Sequence, residues 1–515
     1  MNDKIFDIAI VGSGLAALAL LEELVKDNTL KIALIEAGSA IETKHKNDSV
    51  TQWHHPLNEC SNNGFGGTSL TWGGRCVDFN NIDFIKRESI NVSWPISKDE
   101  LMPFYGSSCH FLKIGKPIFT TKESESTNNN FSDKHLERWS LPLRLQPAKK
   151  RILSNPNVTY FDDHTVSHIV NNADNATSTI YFDENLQPLF AKECIVAAGG
   201  IETTRILLKS VNNKHLGKYY QGHISGKIAD VVFNNPESVK YGFTIDSEGI
   251  YTRNRYQPTD RTILKENILN SAIWLDNLPL HDEQHENAIL SFIYLLFNLP
   301  IISKFLAPPS IKRVIIGDSN NINILSHIKN CILNFPEIIS FSFPFFIRRY
   351  LRYRKIPGLF LYSPLGKYAL HFHAEQQPVE ENKLSLNQDD SLTINYSFTD
   401  LDLSSVIKTH HLLDEYLRDN NIGRLEFYGD DISLKKKIMD ECKDGIHQIG
   451  TARMATTIQD GVVDKDLQVF NLDNVYVLSS ATFPTSSQAN PTFLLIVFAK
   501  RLASHLLKRV DGGLE

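Results

Sequence analysis

The feature that most constrains the fold is a glycine-containing turn between two short apolar runs. The run Ile5–Val11 is followed by Gly12 and Gly14, then by apolar residues at helical spacing, and then by a second apolar run that ends in Glu36. This order predicts a β-strand, a helix and a second parallel β-strand. In such a unit the glycines let the backbone turn and approach a pyrophosphate, the helix N-terminus faces the phosphates, and the acid accepts hydrogen bonds from a ribose. The motif by itself predicts a dinucleotide but does not choose between FAD and NAD. Its predicted contacts are Gly12, Gly14, Leu15, Ala16 and Glu36.

The overall composition narrows the class of protein. A chain of 515 residues that is 42% hydrophobic is long enough for two or more domains. Its net charge of -6 gives no sign of a nucleic-acid partner. Six scattered cysteines without a Cys-x-x-Cys pair argue against a disulfide framework and a zinc site, and they fit a reducing, cytoplasmic location. Neither a secretion signal nor a transmembrane run of about 18 apolar residues is expected.

A second glycine-rich block occupies residues 64–74, where five of eleven residues are glycine. Such a segment does not form a stable helix or strand, and it suits a backbone that lies close to a flat ligand. The large aromatic Trp72 argues against a mobile surface loop. The predicted ligand contacts in this block are Gly67, Thr68, Ser69, Trp72, Gly73 and Gly74.

Two later segments add to this pattern. Residues 193–208 read as a buried strand, a break at Gly199-Gly200 and an amphipathic helix, so small residues at the strand end allow close approach to a ligand. Further on, His447 precedes a strand over 474–478, and Asn490-Pro491 opens an amphipathic helix. Asparagine followed by proline also suits a plain helix N-cap, and a lone histidine in a loop is usually structural.

Taken together, the glycine-rich block with Arg75, the segment 193–208 and the order of His447 and Asn490 resemble the glucose–methanol–choline (GMC) oxidoreductases. The resemblance implies an α/β fold, in which a Rossmann-like FAD-binding domain carries an inserted α+β substrate domain built on an antiparallel sheet. It implies FAD as the cofactor. Members with covalent flavin carry histidine where Thr71 stands, so FAD is expected to be bound non-covalently. The further cofactor contacts implied are Val166, Ala198, Gly199, Pro491 and Thr492.

The resemblance also implies a domain layout. The FAD-binding domain is expected over residues 1–100, 151–235 and 441–515, and the substrate domain over 236–440. Residues 101–150 are expected to be a substrate-domain segment with a flexible loop near 120–135. The runs 157–160 and 165–170 are expected to form a β-hairpin over the adenine.

His447 and Asn490 are the implied catalytic pair. Hydride leaves the alcohol carbon for flavin N5 only as the hydroxyl loses its proton, and histidine suits this base role near neutral pH. Asn490 can donate an amide hydrogen to the same oxygen. The expected reaction is oxidation of a CH–OH group of a sugar or polyol, with the electron acceptor left open.

The middle of the chain leaves alternatives open. His371, His373 and Glu375 alternate on one strand face and could suggest a metal. The resemblance instead favours His373 and Glu375 as substrate contacts, with no metal. Residues 289–306 and 331–356 are apolar, and the second ends in a basic cluster. We favour a helical insertion or lid, with a membrane-surface oxidase of sterols or lipid alcohols as the alternative. A non-redox lyase of the same fold is a third possibility.

Overall fold

The computed structural model describes most of the chain. The described residues are 5–38, 48–121, 130–140, 145–172, 176–183, 186–238, 242–299, 302, 323–363 and 365–510. Half of the expected loop at 120–135, namely residues 122–129, and the centre of the apolar region therefore lie outside the described residues.

The strands and helices are as follows. The strands are β1 (Ile5–Val11), β2 (Ile32–Ile35), β3 (Ser49–Val50), β4 (Arg75–Cys76), β5 (Phe131–Trp139), β6 (Val158–Phe161), β7 (Val166–Asn172), β8 (Thr177–Phe182), β9 (Leu189–Val196), β10 (His223–Gly226), β11 (Ala229–Phe233), β12 (Thr244–Ile245), β13 (Tyr251–Pro258), β14 (Ser271–Asp276), β15 (Lys367–Glu375), β16 (Lys383–Leu386), β17 (Leu392–Asn395), β18 (Gly423–Phe427) and β19 (Val475–Val477). The helices are α1 (Leu15–Leu24), α2 (Leu57–Cys60), α3 (Lys98–Leu101), α4 (Tyr105–Leu112), α5 (Leu145–Leu153), α6 (Gly199–Ser210), α7 (Asp260–Glu266), α8 (Ala288–Asn298), α9 (Ile324–Leu333), α10 (Phe335–Phe346), α11 (Asp400–Asp419), α12 (Asp431–Glu441) and α13 (Thr492–Val510).

The first sheet is built around the predicted strand–helix–strand unit. Its order is β6-β2-β1-β9-β8-β7, and β19 pairs with the carboxyl half of β9. Strands β6, β2, β1, β9 and β19 are mutually parallel, so their carboxyl ends meet at one edge. Helix α13 packs on α1, where Lys500 reaches Glu22 and Glu23 at 2.8 Å. Three separated stretches of chain therefore share one core, as the predicted α/β fold requires.

The second sheet is antiparallel, which confirms the expected fold class. Its order is β18-β11-β15-β14-β13-β5-β4, with β10 beside β15 and β12 beside β13. It has its own apolar core with α11 and α12. Strands β3, β16 and β17 form a small third sheet.

The expected hairpin over residues 157–170 is wrong. Strand β6 pairs in parallel with β2 at one end of the first sheet, whereas β7 pairs with β8 at the other end. Both runs have strand character, but only long-range pairing decides their neighbours.

Two expected boundaries also change. The flexible loop predicted up to residue 135 gives way at Phe131 to the nine-residue strand β5, whose partner β13 lies far along the chain. The FAD-binding segment expected to run to residue 235 ends earlier, because β10 and β11 belong to the second sheet.

The apolar region forms helices α8, α9 and α10, which agrees with the favoured helical insertion. No single helix among the described residues is long and apolar enough to cross a bilayer. Ile324–Leu333 and Phe335–Leu351 satisfy that test only as a pair, and the pair is bent by 85°.

Candidate functional site

A cleft of about 2670 Å³ begins at the carboxyl edge of the first sheet and continues toward the second sheet and the helices α8 and α10. Ligands of open parallel sheets bind outside the carboxyl ends of the strands, which is where this cleft lies. The predicted contacts that line it are Gly12, Gly14, Leu15, Ala16, Glu36, Gly67, Thr68, Ser69, Trp72, Gly73, Val166, Ala198, Gly199, His373, His447, Asn490, Pro491 and Thr492. Gly74 and Glu375 are not among the lining residues.

Gly12 and Gly14 of the first turn have different structural reasons to be glycine. Gly12 has φ of +101°, and a Cβ there would lie 2.5 Å from the carbonyl oxygen of Ala197, so the fold itself requires glycine. A Cβ on Gly14 would meet nothing within 4 Å, and Gly14 has an ordinary φ of −66°. Helix α1 also has no side-chain N-cap. Open space before uncapped N–H groups fits a bound diphosphate.

Glu36 lies at the cleft, as predicted, but its carboxylate already has partners. One oxygen accepts from the backbone and hydroxyl of Ser13, at 3.0 and 2.6 Å. The other accepts from the backbone N–H groups of Ala37 and Gly64. These four bonds use the acceptor capacity of the carboxylate. A ribose hydroxyl therefore binds here only by replacing one of these donors, and the Ser13 hydroxyl is the one free to rotate.

His447 is held by Asp444, a residue that the sequence analysis did not identify. The Nδ1 atom of His447 lies 3.1 Å from Oδ2 of Asp444. The other oxygen of Asp444 accepts the backbone N–H groups of Gly445, Ile446 and His447. A carboxylate accepts only, so Nδ1 carries the hydrogen and Nε2 is left as the acceptor.

The charge of Asp444 is sustained by its surroundings. Burial alone would raise the pKa of this carboxyl group. The neighbouring His447 and hydrogen bonds from His447 and the backbone of His223 hold the pKa well below its ordinary value. Asp444 therefore stays ionised and keeps Nε2 of His447 available as a base.

Asn490 is oriented by Arg75. Nε of Arg75 donates to Oδ1 of Asn490 at 2.7 Å, which fixes the amide so that Nδ2 lies 3.0 Å from Nε2 of His447. The guanidinium of Arg75 lies over the ring of Trp274, 4.7 Å from its centroid, and also reaches Glu137. The sequence allowed Asn490 to act also as a helix cap. Among the described residues its side chain contacts Arg75 and His447 and makes no hydrogen bond to the backbone of α13, so it does not cap that helix.

Two more histidines lie behind His447. The rings of His223 and His373 stack with centroids 4.0 Å apart, and each meets the ring of His447 edge-on. Burial, together with the neighbouring His447, lowers the pKa of His223 to about 3, and burial also keeps the pKa of His373 far below its ordinary range. Both are therefore neutral.

These three histidines place ligand atoms within 4.8 Å of one another. However, the ring planes of His223 and His373 are only 21° apart and face each other. Lone pairs of stacked rings lie in two separate planes, so they do not converge on one ion as zinc-site geometry requires. We therefore interpret the cluster as a neutral wall behind His447.

The prediction that Glu375 contacts substrate does not agree with the structure. Glu375 is fully buried and forms a two-point ion pair with Arg87, at 3.0 and 2.7 Å. It also accepts the backbone N–H of Asn270. Its neighbour on the strand, His371, which the sequence analysis ranked lower, does line the cleft. Alternation along the strand predicts that His371, His373 and Glu375 share one face of the sheet. It does not predict how far along that face the cleft extends.

Gln448 is another residue that the sequence analysis missed. Its side-chain oxygen accepts from the backbone N–H groups of Gly200 and Ile201, at 3.0 Å each, and so caps helix α6. The cap ties the loop that carries His447 to the end of β9. The only sequence signal for Gln448 and Asp444 was their position, because both lie within three residues of His447.

The comparisons with known proteins agree with this geometry. Residues 378–499 match the family model described as GMC oxidoreductase. This C-terminal part of the chain is therefore similar to the GMC oxidoreductases. A sequence comparison with curated proteins gives no significant match.

Solved structures resemble this chain over nearly its full length. One is an FAD-dependent oxidoreductase from Chaetomium thermophilum, at 15% identity and a TM-score of 0.55, with 98% of this chain and 100% of that one covered. Another is a fungal aryl-alcohol oxidase, at 14% identity and a TM-score of 0.53, with 99% and 100% covered. A third is a pyridoxine 4-oxidase from Mesorbium loti, at 14% identity and a TM-score of 0.55, with 97% and 99% covered. These similarities establish the fold.

Proposed function

We propose that this protein is an FAD-dependent oxidoreductase that oxidises a CH–OH group, with His447 as the base. The observation that carries the proposal is the chain of contacts from Asp444 through His447 to Asn490 and Arg75, which places Nε2 of His447 beside Nδ2 of Asn490 at the cleft. In the structure Nδ2 donates to Nε2, and a substrate hydroxyl that replaces this hydrogen bond can give its proton to Nε2 while its oxygen accepts from Nδ2.

FAD fits the rest of the cleft. Gly12, Gly14 and the uncapped start of α1 suit its diphosphate, and the glycine-rich block beyond Gly66 suits a flat ring system. Bound FAD supplies the acceptor for the hydride that leaves the alcohol carbon. The helix α13 starts at Thr492 beside the cleft, so its N-terminal dipole favours negative charge there.

We propose that FAD is bound without a covalent link to Thr71. Its hydroxyl is exposed and donates to the carbonyl of Thr68, and threonine lacks the imidazole expected in the covalent members. Precipitating the protein in acid should therefore release all of the yellow flavin into the supernatant. Flavin that stays with the pellet would contradict this part of the proposal.

The substitution His447→Ala tests the catalytic proposal. We expect the variant to keep its FAD and to reduce it about 10²–10⁴-fold more slowly with an alcohol under anaerobic conditions. The measurement is bleaching of the flavin absorbance after mixing with a panel of sugars, polyols and other alcohols.

His411→Ala is the matched control, because His411 lies on the surface beside Asp431 and outside the cleft-lining residues. It should reduce flavin at the wild-type rate. If the wild type is bleached by no alcohol in the panel, the redox proposal fails and the lyase alternative gains support.

A further inference from the structure

Helix α9 is oriented with its polar side inward and its apolar side outward. Its two buried residues are His327 and Asn330, which hydrogen-bond to Ser291 of α8. Its side chains Leu325 and Ile332 are 78% and 71% exposed. An ordinary surface helix buries its apolar stripe instead.

Helix α10 continues the same surface. Only Ile338 of α10 is buried, whereas Phe343 is 70% exposed. We call the combined surface the outer helical face. It consists of Leu325, Ile328, Ile332, Phe335, Ile339 and Phe343. On each helix the three side chains recur at helical spacing, so each helix carries an exposed apolar stripe, and exposed apolar surface of this kind marks an interaction site.

The charge next to the outer helical face is strongly positive. Residues 324–356 contain six lysines and arginines but a single acid, Glu337, in a chain whose net charge is -6. Arg348 and Arg352 are exposed at the end of α10. Aromatic and aliphatic side chains beside basic ones form the pattern of a helix that lies in the headgroup region of an anionic bilayer. The 85° bend suits two short helices lying on a membrane better than one that crosses it.

The cleft extends to the same helices. Phe341 and Phe345 of α10 line it, together with Phe292, Ile293 and Leu296 of α8. Nearer His447 the lining becomes polar, with Arg75 and His371. Helix α10 therefore presents one side to the solvent, and its other side lines an apolar passage that leads toward the catalytic pair.

We infer that the outer helical face docks on an anionic lipid bilayer, and that the substrate is an amphiphilic alcohol whose apolar tail lies between α8 and α10. The inference of an amphiphilic alcohol substrate rests on the proposed oxidation of a CH–OH group. The hydroxyl-bearing head reaches Nε2 of His447, while the tail stays in contact with apolar side chains. A hydroxylated head of this kind includes a sugar linked to a lipid.

Vesicle flotation of the FAD-loaded protein tests the docking. We expect flotation with vesicles of phosphatidylcholine and phosphatidylglycerol, weak flotation with phosphatidylcholine alone, and loss of binding as salt is added. The double variant Ile339→Asp with Phe343→Asp should not float. Each of Arg348→Gln and Arg352→Gln should weaken vesicle binding about fivefold.

Ile432→Asp on α12 is the matched control, since Ile432 is 80% exposed but lies on another part of the surface, and it should float as the wild type does. Equal melting temperatures of the variants exclude misfolding. Absence of wild-type flotation would overturn the docking proposal, and so would a dimer in light scattering that the double variant dissociates, because the face would then belong to a second copy.

The substrate class is tested separately. Alcohols with one polar head and tails of increasing length should bleach the flavin faster as the tail lengthens, and this gain should shrink when Phe341→Ser opens the passage wall. Rates that do not depend on tail length would overturn the amphiphilic substrate. Bleaching by a soluble alcohol without vesicles reports on the proposed oxidation itself, so the two proposals can fail independently.

Discussion

At the scale of single residues, the proposed chemistry depends on how His447 is held. Asp444 fixes the tautomer of the imidazole and Arg75 fixes the amide of Asn490, so both are positioning residues. The resemblance of the sequence to a family was enough to predict His447 and Asn490. It could not predict Arg75 in this role, because Arg75 and Asn490 are 415 positions apart and only the fold brings them together.

Asp444→Asn should slow flavin reduction by about 10²–10⁴-fold, comparable to loss of the base, while FAD stays bound. The neutral amide can donate to Nδ1 and so stabilise the wrong tautomer. Removing the carboxylate also removes the counter-ion of the imidazolium. The pH at which the reduction rate rises should therefore move to lower pH. An unchanged pH profile would show that Asp444 has a merely structural role.

The same residue gives a prediction for stability in acid. The folded-state pKa of Asp444 is below the ordinary aspartate value of 3.8, so its charge stabilises the fold above that pH. This contribution is lost as the pH falls below 3.8 and through the folded-state value. Thermal melting between neutral pH and pH 3 should thus show a steeper loss of stability for the wild type than for Asp444→Asn. Parallel curves would contradict the depressed pKa.

At the scale of elements, the first turn separates folding from binding. Gly12→Ala puts a Cβ 2.5 Å from the carbonyl of Ala197 in a left-handed backbone, and we expect a loss of about 1–3 kcal/mol or more in the free energy of unfolding. Gly14→Ala meets no protein atom, so the apoprotein should unfold as the wild type does and bind FAD more weakly. Urea unfolding of apoprotein and FAD titration measure the two effects. Equal effects of the two substitutions would contradict the proposed diphosphate site.

Elements with local signals could be predicted from the sequence, and those defined by distant partners could not. The apolar run, glycine turn and helical spacing up to Glu36 correspond to β1, α1 and β2. Strand β5 has no such signal, because its charged residues come in adjacent pairs instead of alternating with apolar ones, and it is stabilised by β13 through Glu137 and Arg253. Strand β6 was recognisable as a strand, but its pairing with β2 depends on the whole sheet.

At the scale of the whole molecule, a buried ion pair joins the first segment of the chain to the second sheet. Arg87 and Glu375 are both buried, so neutralising one leaves the other charge without its partner. Glu375→Gln should lower the free energy of unfolding by about 3–5 kcal/mol. It should leave the flavin reduction rate of the folded protein nearly unchanged, because Glu375 lies outside the cleft lining.

Glu380→Gln is the control for this prediction, since its partner Lys218 and Glu380 itself lie on the surface. Urea unfolding should show little change for that variant. A large fall in reduction rate with normal stability in Glu375→Gln would restore the original interpretation of Glu375 as a substrate contact.

The discontinuous first sheet has a consequence for how the protein is made. A ribosome releases the Gly12 turn and the base of the cofactor cleft early, but β19, the His447 loop and α13 emerge only after the entire second sheet. Helix α1 buries its apolar side chains against α13, so the nascent nucleotide-binding unit has an uncovered face during most of translation. We therefore expect the proposed FAD to bind late in biosynthesis, and growth without riboflavin should enrich full-length, protease-sensitive chains rather than shorter folded fragments.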